Sequence, residues 1–196
     1  DGSTLASASW DNTVKLWNAE TGEVLHTLEG HGNEVWHVSW SPDGNTLASE
    51  SLDSTVKLWN AETGEVLHTL EGHKEPVYHV SWSPDGSTLA SASLDSTVKL
   101  WNAETGEVLH TLEGHRDEVW HVSWSPDGST LASASRDSTV KLWNAETGEV
   151  LHTLEGHRDE VWHVSWSPDG STLASASRDS TVKLWNAETG EVLHTL

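Results

Sequence analysis

The chain has 196 residues, 31 of them acidic and 10 basic, for a formal net charge of −21 that protonating all thirteen histidines would bring only to −8. Such a field repels nucleic acid and anionic membrane and favours basic partners, so neither nucleic acid nor a membrane is expected as a partner. Cys and Met are absent, which excludes a disulfide framework, thiol chemistry and thiolate metal sites.

No signal-peptide pattern and no long apolar run is found, so a cytoplasmic location is the expectation. The first residue, Asp1, sits inside a repeat and is not a Met, which leaves the native N-terminus open. Displaced by 42 residues, the sequence falls on itself. Trp17, Trp59, Trp101, Trp143 and Trp185 share one column, and Asp11, Asp53, Asp95, Asp137 and Asp179 share another. A fixed period of this size marks a solenoid, a propeller or another array, so a motif recurring in every unit is read first as architecture.

In chain order the units are a partial one at 1–30 and complete ones at 31–72, 73–114, 115–156 and 157–196. The unit 115–156 shows the pattern. HRDEVWHVSW alternates with period two, which predicts strand a with Val119, His121 and Ser123 on one face and Trp120, Val122 and Trp124 on the other. Pro126, Asp127 and Gly128 then supply a hairpin turn. STLASAS predicts a second strand, b, of small residues that permits close packing. After the tight RDST connection, TVKLWNAE predicts strand c, with Val140 and Leu142 opposed to Lys141 and Trp143. A turn over Asn144 to Gly148 leads into strand d, EVLHTLEG. No window carries helical periodicity, so the expectation is an all-β chain of four-stranded antiparallel meanders. A lone meander exposes an apolar face; stacking neighbours buries it, which favours propeller blades over a β-solenoid of shorter repeats.

Gly114-His115, the SPDG turn, Leu131-Ala132-Ser133, Asp137 and Trp143 together resemble the WD40 repeat, and the resemblance recurs along the whole chain. One uniform departure is Asn after the Trp (Asn18, Asn60, Asn102, Asn144, Asn186), where the family usually has Asp. The resemblance implies a WD40-like β-propeller, a first unit holding strands b, c and d only, and nineteen strands in total. Residues 115–154 and 157–196 are identical, as recent amplification or deliberate construction would leave them.

Each complete unit carries a His, a Ser, an Asp and a Trp at matched positions: His31, Ser49, Asp53 and Trp59; His73, Ser91, Asp95 and Trp101; His115, Ser133, Asp137 and Trp143; His157, Ser175, Asp179 and Trp185. Ser, His and Asp invite a catalytic-triad reading. The resemblance instead implies a buried hydrogen-bond chain tying the d–a loop to strands b and c, and four copies argue for structure. No catalytic residue is assigned, no enzyme activity is expected, and Asp11, lacking a His in its unit, is expected to be less well held. His37, His79, His121 and His163 lie on strand a, which lines the channel of a propeller. They invite a metal, anion or pH-switch reading beside the bland one of half-buried strand residues. Without Cys or a close His/carboxylate cluster neither a metal nor a cofactor is expected. His26, His68, His110, His152 and His194 on strand d read as surface positions, and the SPDG aspartates Asp43, Asp85, Asp127 and Asp169 are too sparse for calcium.

The units differ mainly in two windows, the d–a loop into strand a and the b–c turn (Trp10, Leu52, Leu94, Arg136, Arg178), with Glu50 replacing an Ala and Pro76 marking unit 73–114. The resemblance places both windows on one face, the top, near the channel mouth. Trp36, Leu52, Tyr78, Leu94, Trp120, Arg136, Trp162 and Arg178 are therefore the candidate binding residues, several of hot-spot type, with drift at tolerant loops as the alternative. Three functions compete: a scaffold that self-assembles as a homodimer to close an eight- to ten-bladed ring, a module that binds a basic peptide or protein, and, weakest, an enzyme.

Overall fold

Strands form where β-branched and aromatic residues alternate, and they end at turns pinned by short polar side chains. The computed structural model describes residues 2–196; Asp1, the first residue of the expected unit 1–30, lies outside the described residues. Among the described residues nineteen strands make five antiparallel sheets. The first sheet has three strands, β1 (Thr4–Ala8), β2 (Val14–Asn18) and β3 (Val24–Leu28). The second holds β4 (Val35–Trp40), β5 (Thr46–Ser51), β6 (Val56–Asn60) and β7 (Val66–Leu70). The third holds β8 (Val77–Trp82), β9 (Thr88–Ser93), β10 (Val98–Asn102) and β11 (Val108–Leu112). The fourth holds β12 (Val119–Trp124), β13 (Thr130–Ser135), β14 (Val140–Asn144) and β15 (Val150–Leu154). The fifth holds β16 (Val161–Trp166), β17 (Thr172–Ser177), β18 (Val182–Asn186) and β19 (Val192–Thr195). Strands follow one another in sequence order within every sheet, as a meander requires.

The turns carry their own chemistry. Asp127 Oδ1 accepts from Ser125 Oγ at 2.6 Å and from Ser129 N at 3.0 Å, while Gly128 takes a φ of 73°. Asn144 Oδ1 accepts the amides of Glu146 and Thr147, both at 2.9 Å, so the asparagine that departs from the usual family residue still closes its turn.

One expectation fails. Strict alternation separates Val119 from Val122 and Trp124, yet all three enter the same core. The register shifts between Val119 and His121, a β-bulge in which one extra residue turns the strand over. The same shift recurs in β4, β8 and β16. Trp120 and His121 are thereby released from the core: one turns toward the top of the unit, the other toward its neighbours' histidines.

The core lies between sheets. Ala90, Ala92, Val98, Leu100 and Leu112 of one unit meet Val119, Val122, Trp124, Leu131 and Trp143 of the next. Equivalent seams join the other units, each large side chain contributing about 1.5–3 kcal/mol by leaving water. Trp124 Nε1 crosses the seam to donate to Ser81 O at 3.0 Å. Two apolar faces remain uncovered among the described residues. In the fifth sheet Ala174, Ala176, Val182 and Leu184 are only half-buried and Leu196 is 72% exposed, while their counterparts Ala132, Ala134, Val140, Leu142 and Leu154 are all buried. In the first sheet Leu5 is 60% exposed, where Leu47, Leu89, Leu131 and Leu173 are at 0%.

Candidate functional site

The four His/Ser/Asp/Trp sets are closed chains of hydrogen bonds. In unit 115–156, Trp143 Nε1 donates to Ser133 Oγ at 2.8 Å, Ser133 Oγ lies 2.7 Å from His115 Nε2, and His115 Nδ1 lies 2.8 Å from Asp137 Oδ2. Asp137 also accepts from the amides of Arg116 and Thr139 and from Thr139 Oγ1. Both ring nitrogens are thereby occupied, Nδ1 donating to the carboxylate and Nε2 paired with the serine hydroxyl. Units 31–72, 73–114 and 157–196 repeat the arrangement, with Trp59 on Ser49, Trp101 on Ser91 and Trp185 on Ser175. His31, His73 and His157 bridge those serines to Asp53, Asp95 and Asp179 in the same way. Burial opposes ionisation of Asp53, Asp95 and Asp137, but the hydrogen bonds from the histidines, threonines and loop amides overcome it and hold each carboxyl well below the usual range. The motif Gly is fixed by the same contact: a Cβ on Gly114 (φ 154°) would lie 3.3 Å from the Trp143 ring.

As catalytic machinery these sets are sealed. Ser49, Ser91 and Ser133 are at 0% exposure, and both partners of each hydroxyl are protein groups. In the first unit Trp17 donates to Ser7, but Asp11, held by the amide and hydroxyl of Thr13 and by Ser9, has neither the histidine nor the loop amide that its counterparts have. It is held by fewer bonds than its counterparts.

The strand-a histidines form a column. His37 and His79 stand 4.7 Å apart between ring centroids, His79 and His121 3.9 Å, and His121 and His163 3.9 Å. The buried Nδ1 atoms of His37, His79 and His121 have no hydrogen-bond partner. Burial, with the neighbouring imidazoles, pushes His121 down to about 3 and His79 well below its ordinary value. Among the described residues no group of three or more His, Asp or Glu is arranged to hold a metal ion.

Outer-strand histidines are not mere surface positions, a correction to the sequence reading. His26 Nε2 lies 2.9 Å from Glu62 O of the next unit, and His68, His110 and His152 reach Glu104, Glu146 and Glu188 O at the same distance. Each clasps the outer rim of a seam. His194 is exposed.

On the top, the bulged strands set an aromatic row. Trp10 stacks on Trp36 at 6.2 Å, Trp36 meets Tyr78 at 5.1 Å, and Tyr78 meets Trp120 edge-on at 4.8 Å. Trp10 is 72% and Trp36 43% exposed, so this end of the row is open to solvent. Tyr78 and Trp120 are half-buried, and Trp120 Nε1 is buried without a hydrogen-bond partner. Trp162, on the last unit, is 52% exposed. Arg136 is engaged by Glu118 at 3.2 Å and Glu160 at 3.3 Å, and Arg178 by Glu160 at 3.3 Å. Leu52 and Leu94 occupy the matching turns of the earlier units and are half-buried. Their backbone amides donate to Glu34 O and Pro76 O, as those of Arg136 and Arg178 do to Glu118 O and Glu160 O. A cavity of about 630 Å³ lies instead at the SPDG turns, between Thr4, Trp40, Pro42 and Asn60.

Residues 1–155 and again 36–196 match the family model described as the WDR19 first beta-propeller. The chain is 52% identical over 40 residues to the WD40 repeat-containing protein HOS15 of Arabidopsis thaliana, covering 20% of this chain and 6% of that protein. It is 54% identical over 39 residues to the F-box-like/WD repeat-containing protein TBL1X of Mus musculus, covering 20% and 7%. Ribosome assembly protein 4 of Saccharomyces cerevisiae is 46% identical over 41 residues, covering 21% and 8%. These matches are one unit long and span less than a tenth of each relative. Because overlapping windows that together reach from end to end match one propeller model, and single units match WD40 proteins at about half identity, the chain belongs to the WD40-repeat β-propeller family.

Proposed function

We propose that the chain is a non-catalytic propeller scaffold whose near-identical units close a ring by pairing with a second copy. The WD40 relatives support a protein-interaction scaffold role in general. The observation that carries the finer reading is the mismatch of faces. Every interior seam joins one Ala/Val/Leu face to one Val/Trp/Leu face, while the half-buried Val182 and Leu184 and the exposed Leu196 and Leu5 are members of those same faces without a cover. A second copy offers the complementary chemistry at both places, and closed C2 homodimers are the common solution to such surfaces. The proposed product is a homodimeric ring of eight to ten blades. Native mass spectrometry over a dilution series tests it: a dimer of the 21.4 kDa chain that survives dilution supports closure, and a folded monomer at every concentration sinks it.

The aromatic row favours a second reading, a top face that docks a basic peptide or protein. The exposed ring of Trp36 and the half-buried rings of Tyr78 and Trp120, on a chain of net charge −21, suit cationic side chains, which gain from both the π faces and the negative field. Titrating a Lys/Arg-rich peptide against tryptophan fluorescence tests this. Saturable binding weakened about tenfold by Tyr78→Ala supports the face, since an aromatic hot spot is worth about 1–2 kcal/mol or more; binding indifferent to that change refutes it.

A further inference from the structure

Unit 31–72 departs from its siblings at one buried position. Where the other units carry Ala8, Ala92, Ala134 and Ala176, β5 carries Glu50, at 0% exposure. Ala92 and Ala134 belong to seam cores, and Glu50 takes the equivalent place where β5 packs on β8. Neither of its carboxyl oxygens has a hydrogen-bond partner. The nearest basic atom is Nδ1 of His37, its cross-strand partner, 3.6 Å from Oε2 and beyond hydrogen-bond range. At this seam the histidine column is also widest, 4.7 Å against 3.9 Å at the next two steps.

We propose that Glu50, His37 and His79 make the seam between units 31–72 and 73–114 a proton-controlled joint, one place where the array opens when the cluster ionises. The seams with alanine at this position lack its alkaline response. A charged carboxylate in the apolar seam, with the His37 imidazole no nearer than 3.6 Å and with the amides of Glu50 and His37 too weak to offset its burial, is relieved by letting water in, and water enters by parting β5 from β8. Of the other ionisable groups, His121 and His163 extend the column and oppose the charging of His79, and the rest have partners of their own. Lys57 of β6 donates to Thr69, Asp53 of the b–c turn is held by His31 and Thr55, and Tyr78 of β8 stands in the aromatic row.

The direction follows from the shifts. Burial raises Glu50 well above its ordinary 4.5, so the closed seam keeps a proton that the parted seam releases, and closure weakens as pH rises from there through the shifted value. Burial lowers His37 and His79 below 6.5, so closure also weakens as pH falls through that value. The two limbs oppose each other from 4.5 upward until the histidine limb ends at 6.5, and any loss of closure on raising the pH belongs to the carboxyl. The joint does not depend on ring closure by a second copy.

Hydrogen exchange on the intact protein from pH 5 to 10 tests this, with exchange corrected for its intrinsic pH dependence. Protection of β5 and β8 is expected to fall by up to about tenfold per pH unit on the alkaline side. Peptides shared by units 115–156 and 157–196 are identical and serve together as the unresponsive reference. Both Glu50→Gln and Glu50→Ala should abolish the alkaline loss, the second by restoring the residue of the sibling units. Ala134→Glu should add the same response at β13 and β16, and combined with Glu50→Ala should move it there. Equal pH profiles for β5/β8 and the reference, or an alkaline loss that survives Glu50→Gln, would overturn the proposal. Should Ala134→Glu not fold, the two Glu50 variants decide alone.

Discussion

Two sets of histidines recur with the same 42-residue period, six residues apart, and they live by opposite rules. His31, His73, His115 and His157 have both ring nitrogens occupied, by a serine hydroxyl and an aspartate. His79 and His121 stack on other imidazoles with Nδ1 left empty. The first set is the more buried, at 7–8% exposure against half-burial for His79 and His121, yet it is the one whose nitrogens are all supplied with partners. A satisfied imidazole fastens a loop, whereas an unsatisfied one is stable only while it stays uncharged.

Removing one histidine from each set is the hardest test of that contrast. His115→Ala leaves the Ser133 hydroxyl and the Asp137 carboxylate short of a buried partner and is expected to cost about 3 kcal/mol. His121→Ala gives up packing but no Nδ1 hydrogen bond and should cost about 1 kcal/mol. Denaturant unfolding of the intact protein measures both, and equal losses would break the comparison. Acid sharpens it next. As pH falls from 6.5 toward about 3, the fold refuses protons that the unfolded chain accepts at His121, so the column loses stability first. The tetrad aspartates contribute fully above 3.8 and lose their contribution only as pH falls through their lower folded values. A near-ultraviolet circular dichroism titration should therefore show the first loss above pH 4, and His121→Gln should reduce that loss without touching the second. The smallest effect concerns the outer clasps. His68→Ala removes the reach to Glu104 O and should cost about 0.5–1.5 kcal/mol, while His194→Ala, with an exposed side chain, should be silent.

The period and the two-residue alternation made the blades readable, because the sheet must bury one face of each strand and the sequence repeats the solution. The pairing of His115, Ser133, Asp137 and Trp143 was readable through the family motif alone, since the residues lie up to 28 positions apart and nothing local joins them. The bulge was not legible: strict alternation put Val119 and Val122 on opposite faces, and only the partner strand reveals the extra residue. The outer clasps were invisible for another reason. Their acceptor is a backbone carbonyl 36 residues away, which has no side-chain signature. Glu50 stood out as a departure, but its position in a variable stretch concealed that it is among the most buried residues.

Seams built from the same residues in the same places also make the chain degenerate in its own connectivity. A face such as Ala132, Ala134 and Val140 has no means of recognising which Val/Trp face it has met, because residues 115–154 recur unchanged at 157–196. Nucleation can begin at any unit, and an arrangement displaced by one whole period satisfies nearly every contact. Loop connectivity, not side-chain fit, then enforces sequential order, and exchange of units between molecules is the expected failure on crowded refolding. Glu50, Pro76 and Tyr78 are among the few residues that give one seam an address.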